Sequence, residues 1–95
     1  MKTLTILGRR WFQKTYGNTY HSATILIDGE EVHKTPEEYG YGDQYLQTAV
    51  EWLIKHKFIP DVTNHAGIGP IWKYCATKGI TLHYSATDVA RQKDL

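Results

Sequence analysis

Arg9-Arg10-Trp11-Phe12 sets two guanidiniums beside two large rings, and Lys14 and Tyr20 follow closely. Guanidiniums meet carboxylates and phosphates through forked N–H groups, and Trp and Tyr rings pack on flat partners. These residue types concentrate at protein-interface hot spots and on platforms that bind single-stranded nucleic acid. Tyr39-Gly40-Tyr41-Gly42-Asp43-Gln44-Tyr45 is a second concentration. Its tyrosines suit a ligand with a flat ring, held between them and recognised by Asp43 or Gln44. Glycines before a helix start let backbone N–H groups approach an anion, but Asp43 disfavours one here. Asn64-His65-Ala66-Gly67-Ile68-Gly69-Pro70 is a third, with no acid after Asp61, so it admits an anion. It lacks the lysine and spacing of a phosphate-binding loop. Each stretch also has a plain structural role: a solvated sheet face, a packed loop, a connector.

Other chemistries find less support. His21, His33, His56, His65 and His83 include no pair four residues apart, and there is no Cys-x-x-Cys or His-Glu-x-x-His, so we expect no metal site and no cofactor. A histidine working with a carboxylate in a metal-independent hydrolase or nuclease ranks last among the functions considered, because no spacing argues for it. No Gly-x-Ser-x-Gly nucleophile motif is present. Cys75 is the only cysteine, which excludes an internal disulfide and fits a reducing cytosol. Its helical spacing with Ile71 makes it a small core residue.

The elements that must position these residues read as follows. Residues 3–15 are rich in Thr, Ile, Leu, Trp and Phe and predict a strand. Gly17-Asn18 predicts a two-residue hairpin turn into a second strand over 19–27, and Asp28-Gly29 predicts another into a third over 30–35. Pro36 ends that sheet segment, and 36–42 is a loop. Asp43 is the expected N-cap of a long helix over 44–57, with Leu46, Ala49, Val50, Leu53 and Ile54 as its apolar stripe. After a loop over 61–70, Pro70 at N1 and Gly79 at C′ bracket a short helix. Residues 80–86 alternate as a final strand, and 87–95 form a polar tail. The expected fold class is α+β: a three-stranded antiparallel meander plus a final strand, with one long helix on the apolar face and one short helix. Residues 1–95 read as a single domain, with no repeat and no linker.

With two-residue turns, Phe12 opposes Ala23, Trp11 opposes Thr24 and Ile25 opposes Val32. Directly opposed residues share a face and side chains alternate along each strand. One face then gathers Leu4, Ile6, Phe12, Ala23, Ile25, Ile27 and Val32, a core for the helix to cover. Arg10 falls on this face and needs a carboxylate or an aromatic ring; we expect one of the acids in 28–43, with an anionic ligand at the sheet edge as the alternative. The other face gathers Leu7, Arg9, Trp11, Gln13, Tyr20, Ser22, Thr24, Leu26, Glu31 and His33. A bulge at Gly8 would reshuffle residues 2–7 alone. The candidate binding residues are therefore Arg9, Trp11, Gln13, Lys14, Tyr20 and His33 on the sheet face. Tyr39, Tyr41, Asp43, Gln44, Tyr45, Asn64 and His65 are the candidates in the loops.

Eleven bases against ten acids give a net charge of +1, which excludes a highly basic nucleic-acid coat and an acidic mimic of DNA. The balance is uneven along the chain: residues 1–21 carry +4, residues 28–43 carry −5 and residues 44–95 carry +2. Apolar residues make up 41% of the chain, enough for a core, and no apolar run approaches the ~18 residues of a membrane span. The first residues lack the apolar stretch of an export signal, so the expected location is cytoplasmic.

Across RRWFQKTYGNTYHSATILIDGE and the following YGYGDQYLQTA the chain resembles small accessory proteins of phages and other mobile elements, over roughly its first half. The resemblance implies a host-takeover or anti-defence protein that acts by binding, blocking a host or CRISPR complex or sequestering a nucleotide signal. The leading expectation is a non-enzymatic binding module for a protein partner, with a homodimer through the aromatic face or an edge strand. The alternative is a sponge for a nucleotide signal or a reader of single-stranded nucleic acid.

Overall fold

The computed structural model describes residues 1–61 and 68–95. Five strands form one mixed sheet: β1 (Thr3–Gln13), β2 (Asn18–Ile27), β3 (Glu30–Lys34), β4 (Glu38–Tyr39) and β5 (Thr81–Val89). The order across it is β3-β2-β1-β5, and β4 continues beside β2 where β3 has stopped. β1–β2, β2–β3 and β2–β4 are antiparallel, whereas β5 lies parallel to β1. Helices α1 (Gln44–Lys55) and α2 (Ile68–Lys78) carry the buried side chains that cover one face. The architecture is α+β as expected. A meander with one added strand understates the sheet, and α1 has 12 residues rather than the 14 expected.

The core follows the alternation of β1 and β2. Leu4, Ile6, Ala23 and Ile25 point to the helix side and meet Leu46, Ala49, Val50 and Leu53 of α1 and Ile71 and Cys75 of α2. Alternation places Gly8 on this face too, and the Tyr45 ring rests on it: a Cβ at Gly8 would stand 2.5 Å from two ring carbons. The ladder runs unbroken through Gly8, which opposes Ala23 on one side and Ala86 on the other, so no bulge occurs there.

Two turns depart from expectation. β1 and β2 close at Gln13 and Asn18, leaving a four-residue connection in which Gly17 (φ 69°) donates its N–H to Gln13 O at 2.8 Å. A two-residue type I′ turn needs positive φ at both central residues, and here only Gly17 supplies it. The register moves by four residues, so Trp11 opposes Tyr20 instead of Thr24 and Phe12 opposes Thr19 instead of Ala23. Four is an even number of pleats, so the face of every residue is unchanged. Asp28 (φ 52°) and Gly29 (φ 86°) do form the expected tight turn. Asp28 Oδ1 also accepts the N–H groups of Lys2 (2.6 Å) and Thr3 (2.9 Å), and those two bonds hold its carboxyl below the ordinary value.

β3 then breaks register between Ile25 and Leu26, so that Ile25 opposes His33 and Val32 is the extra residue. A one-residue bulge exchanges faces. His33 therefore sits on the helix side, not on the open face as the unbulged register predicts, and Val32 is exposed rather than in the core. Past Lys34 the edge is interrupted at Pro36, and the buried Thr35 fills part of the gap, its Oγ1 accepting the N–H of Ala23 at 2.8 Å.

Both helices end on paired backbone caps. Ile80 N–H reaches Cys75 O (2.8 Å) around Gly79 (φ 70°), as expected for glycine at C′. At α1 the same arrangement uses Lys57 (φ 62°), with Phe58 N–H on Leu53 O at 2.9 Å, and so stops the helix two residues early. α2 begins at Ile68, which makes Pro70 its third residue instead of its first, still in the turn whose N–H groups have no helical partner.

Candidate functional site

The face of the sheet opposite the helices carries a row of rings. Trp11 of β1, Tyr20 of β2 and Tyr39 of β4 oppose one another directly across three strands. Trp11 and Tyr20 stack with centroids 5.9 Å apart and planes at 28°, and Tyr20 meets Tyr39 edge-on at 5.8 Å. Tyr39, 62% exposed, is the open end of the row. Sequence reasoning placed Trp11 and Tyr20 on this face but put Tyr39 in a loop. A two-residue strand after a proline leaves no periodicity to read.

A relay that starts at the buried His21 holds Tyr39 in place. His21 points to the helix side, with Nδ1 3.2 Å from Gly40 O and Nε2 2.7 Å from Thr48 Oγ1. Thr48 Oγ1 donates to Glu38 Oε2 at 3.2 Å. Gly40 N–H bonds Thr19 O at 2.9 Å. β2, the short β4 and α1 are thus tied together on either side of Tyr39. Gly40 has to be glycine, because a Cβ would lie 2.7 Å from Gln44 Oε1 and 2.9 Å from the His21 ring.

Arg9 lies on the same open face, where its Nη1 donates to Asp94 O at 3.1 Å. Gln92 Nε2 donates to both carboxylate oxygens of Glu37, at 2.8 and 2.9 Å. The segment after β5 therefore crosses from β5, over β1 and β2, to the β4 edge, ending in a 3-10 turn over Gln92–Asp94. Arg9 opposes Ser22, which is buried although no α-helix covers this face. Gln13, half-buried, ends the row beside Asn18.

The helix side of the same sheet end holds a cavity of about 560 Å³ between β1, β5 and the loop before α1. Arg10, Phe12, Lys14, Tyr41 and Asp88 line it. Arg10 Nε pairs with Asp88 Oδ1 at 2.9 Å and its Nη1 donates to Gly42 O at 3.3 Å. The partner of Arg10 is thus Asp88, not an acid of 28–43. The parallel β1–β5 register sets Arg10 beside Asp88, and nothing local in the sequence announces that pairing. Phe12, expected in the core, is 55% exposed here, because α1 begins too far along the sheet to cover it.

The Tyr39–Tyr45 stretch does not form one site. Tyr39 belongs to the open face, whereas Tyr41, 70% exposed, lines the cavity on the other side. Asp43 stands at the N-cap position but makes no side-chain cap hydrogen bond, and Gln44 is exposed at the first residue of α1. Tyr45 is buried on Gly8, and that burial pushes its hydroxyl pKa up. It packs as a core residue. His33 stacks on Trp52 of α1 with centroids 4.4 Å apart, and Trp52 also meets His56 (4.4 Å) and Phe58 (5.5 Å). Asn64 and His65 lie outside the described residues.

Among the described residues, no group of three or more His, Cys, Asp or Glu side chains is placed to hold a metal ion, and no helix is long and apolar enough to cross a membrane. Cys75 is buried in the core, which pushes its thiol pKa up. Comparison of the chain with protein families, with curated proteins and with solved structures found no match.

Proposed function

We propose that this chain is a small non-enzymatic binding module that engages a protein partner through the open face of its sheet. The observation that carries this reading is the Trp11–Tyr20–Tyr39 row, set across three strands on a face that neither α-helix covers, with half-buried Trp11 and Tyr20 and exposed Tyr39 beside the segment after β5 that crosses it. Rigid rings presented by a sheet give contact area with little side-chain entropy to lose, and Arg9 beside them adds a directional donor. The near-neutral net charge favours a protein surface over a nucleic-acid backbone. The resemblance to phage accessory proteins makes a host or defence complex the partner class, and the cytoplasm the setting.

The test is affinity capture with the tagged chain from a bacterial lysate, comparing wild type with a Trp11→Ala/Tyr39→Ala variant whose circular dichroism is unchanged. Loss of one stoichiometric protein partner with the double variant supports the reading. A partner retained undiminished by that variant refutes it.

The second reading, a sponge for a nucleotide signal, is favoured by the cavity at Arg10 and Lys14, whose exposed Phe12 and Tyr41 rings suit a base. Calorimetric titration with cyclic dinucleotides and nucleoside triphosphates checks it, with Lys14→Ala expected to weaken any binding. No heat from either class removes this reading.

A further inference from the structure

The two edges of the sheet are treated in opposite ways. The edge formed by β3 and β4 is broken by a bulge at Val32, interrupted at Pro36, and studded with Glu30, Glu31, Lys34, Glu37 and Glu38. These are the devices by which sheet proteins prevent edge-to-edge pairing. β5 has far fewer of them. It runs nine residues, Thr81–Val89, in unbroken register with β1, without proline, and with Asp88 as its only acidic or basic residue apart from His83. The segment after it turns inward across the open face, and among the described residues β5 pairs with no strand but β1.

The direction of its backbone groups follows from one hydrogen bond. Thr81 donates its N–H to Lys2 O at 2.9 Å, so Thr81 faces β1. Alternation in a parallel ladder then turns Thr81, His83, Ser85, Thr87 and Val89 toward β1. Leu82, Tyr84, Ala86 and Asp88 present their N–H and C=O groups to the outside. Tyr84 is 46% exposed, although its same-face neighbours Leu82 and Ala86 pack against the core.

We infer that β5 pairs with β5 of a second copy of this chain, antiparallel about a two-fold axis at Ser85, to make one continuous sheet. Antiparallel pairing exchanges both hydrogen bonds between opposed residues, so outward-facing residues have to meet outward-facing residues. Centring on Ser85 sets Leu82 against Asp88 and Tyr84 against Ala86 of the other copy, and uses all four. Centring on Tyr84 or on Ala86 instead sets that residue opposite itself and leaves Asp88 or Leu82, respectively, beyond the partner strand's end. The same register sets a large ring against a small residue and no charge against its like. His83 then opposes Thr87, and Ser85 opposes its own counterpart. The second copy fits this edge because the strand is complementary to itself. The interface is separate from the aromatic row, so the two proposals fail independently.

Sedimentation velocity and light scattering on the whole chain, at concentrations on the order of 100 μM, should give twice the chain mass. Ser85→Cys tests the register. Two opposed residues in a non-hydrogen-bonded pair have Cα atoms about 4.5 Å apart, within the range of a disulfide. Mild oxidation should therefore convert it to a covalent dimer, while the native Cys75 is buried and silent. Thr87→Cys should stay uncrosslinked, since the two copies of Thr87 would be offset by roughly 13 Å along the strands. Tyr84→Pro removes an outward N–H without touching the β1 ladder and should yield monomer. The inference is overturned by any of three results: a monomeric wild type, Thr87→Cys crosslinking as readily as Ser85→Cys, or a Tyr84→Pro variant that remains dimeric. Should Tyr84→Pro fail to fold, the pair of cysteine variants decides alone.

Discussion

Replacing Gly8 by alanine probes the contact that seats α1 on the sheet. The added Cβ would stand 2.5 Å from Cγ and Cδ2 of Tyr45 and 2.9 Å from Cδ1. Carbon atoms rest at about 3.5–4.0 Å, so the ring has to retreat by about 1 Å. Tyr45 is buried at the start of α1, between the sheet and the loop whose Gly42 carbonyl accepts Arg10. The ring cannot swing out alone, and the first turn of α1 has to lift with it. Overpacking of this kind costs about 1–3 kcal/mol, offset by about 0.5–1 kcal/mol because alanine loses less backbone entropy than glycine in a strand. The net loss, about 1 kcal/mol at the middle of these ranges and at most about 2.5 kcal/mol, corresponds to a fall of roughly 5–10 °C in melting temperature at the middle value for a domain of this size. Urea unfolding followed by circular dichroism measures it. The same substitution in a Tyr45→Leu background, where no ring lies on Gly8, should cost nothing further. A Gly8→Ala variant as stable as wild type would refute the reasoning, as would an equal loss in both backgrounds.

Further consequences follow from single interactions. Asp28 holds two backbone N–H groups and has its carboxyl depressed below 3.8. The stability it contributes is present above that ordinary value and is lost as pH falls through the lower, folded value. Asp28→Asn, which also suits the turn, should flatten the acid limb of a stability–pH profile, and an unchanged limb would count against the role of the carboxylate. Thr35→Val leaves the buried N–H of Ala23 without its acceptor and should cost about 1–3 kcal/mol in urea unfolding. Lys57 occupies a left-handed position that glycine takes without strain, so Lys57→Gly should stabilise the chain by a few tenths to about 1 kcal/mol, read as a raised melting temperature.

Strand and helix identities were legible because they rest on local pattern. The alternation of β1 and β2 assigns Leu4, Ile6, Ala23 and Ile25 to one face and Trp11 and Tyr20 to the other, for the expected turn and for the observed one alike. A turn that differs by an even number of residues changes partners but not faces, so the division of the sheet survived a wrong loop length. A turn cannot be wrong by one residue, and neither can a ladder: the bulge at Val32 moved His33 to the helix side, where it stacks on Trp52. No residue type marks such a bulge in advance.

The candidate site divides in the same manner. Sequence alone fixes that Arg9, Trp11 and Tyr20 share a face, since side-chain alternation is a property of the strand itself. That Trp11 touches Tyr20, that Tyr39 joins them, and that Arg10 finds Asp88 78 residues away are decided by tertiary pairing. So is the contrast between a guarded edge at β3 and β4 and a less guarded one at β5. Each depends on which strands lie side by side and in what register. Those are set by the burial of the whole apolar face beneath two helices, a sum over distant residues that no local window contains.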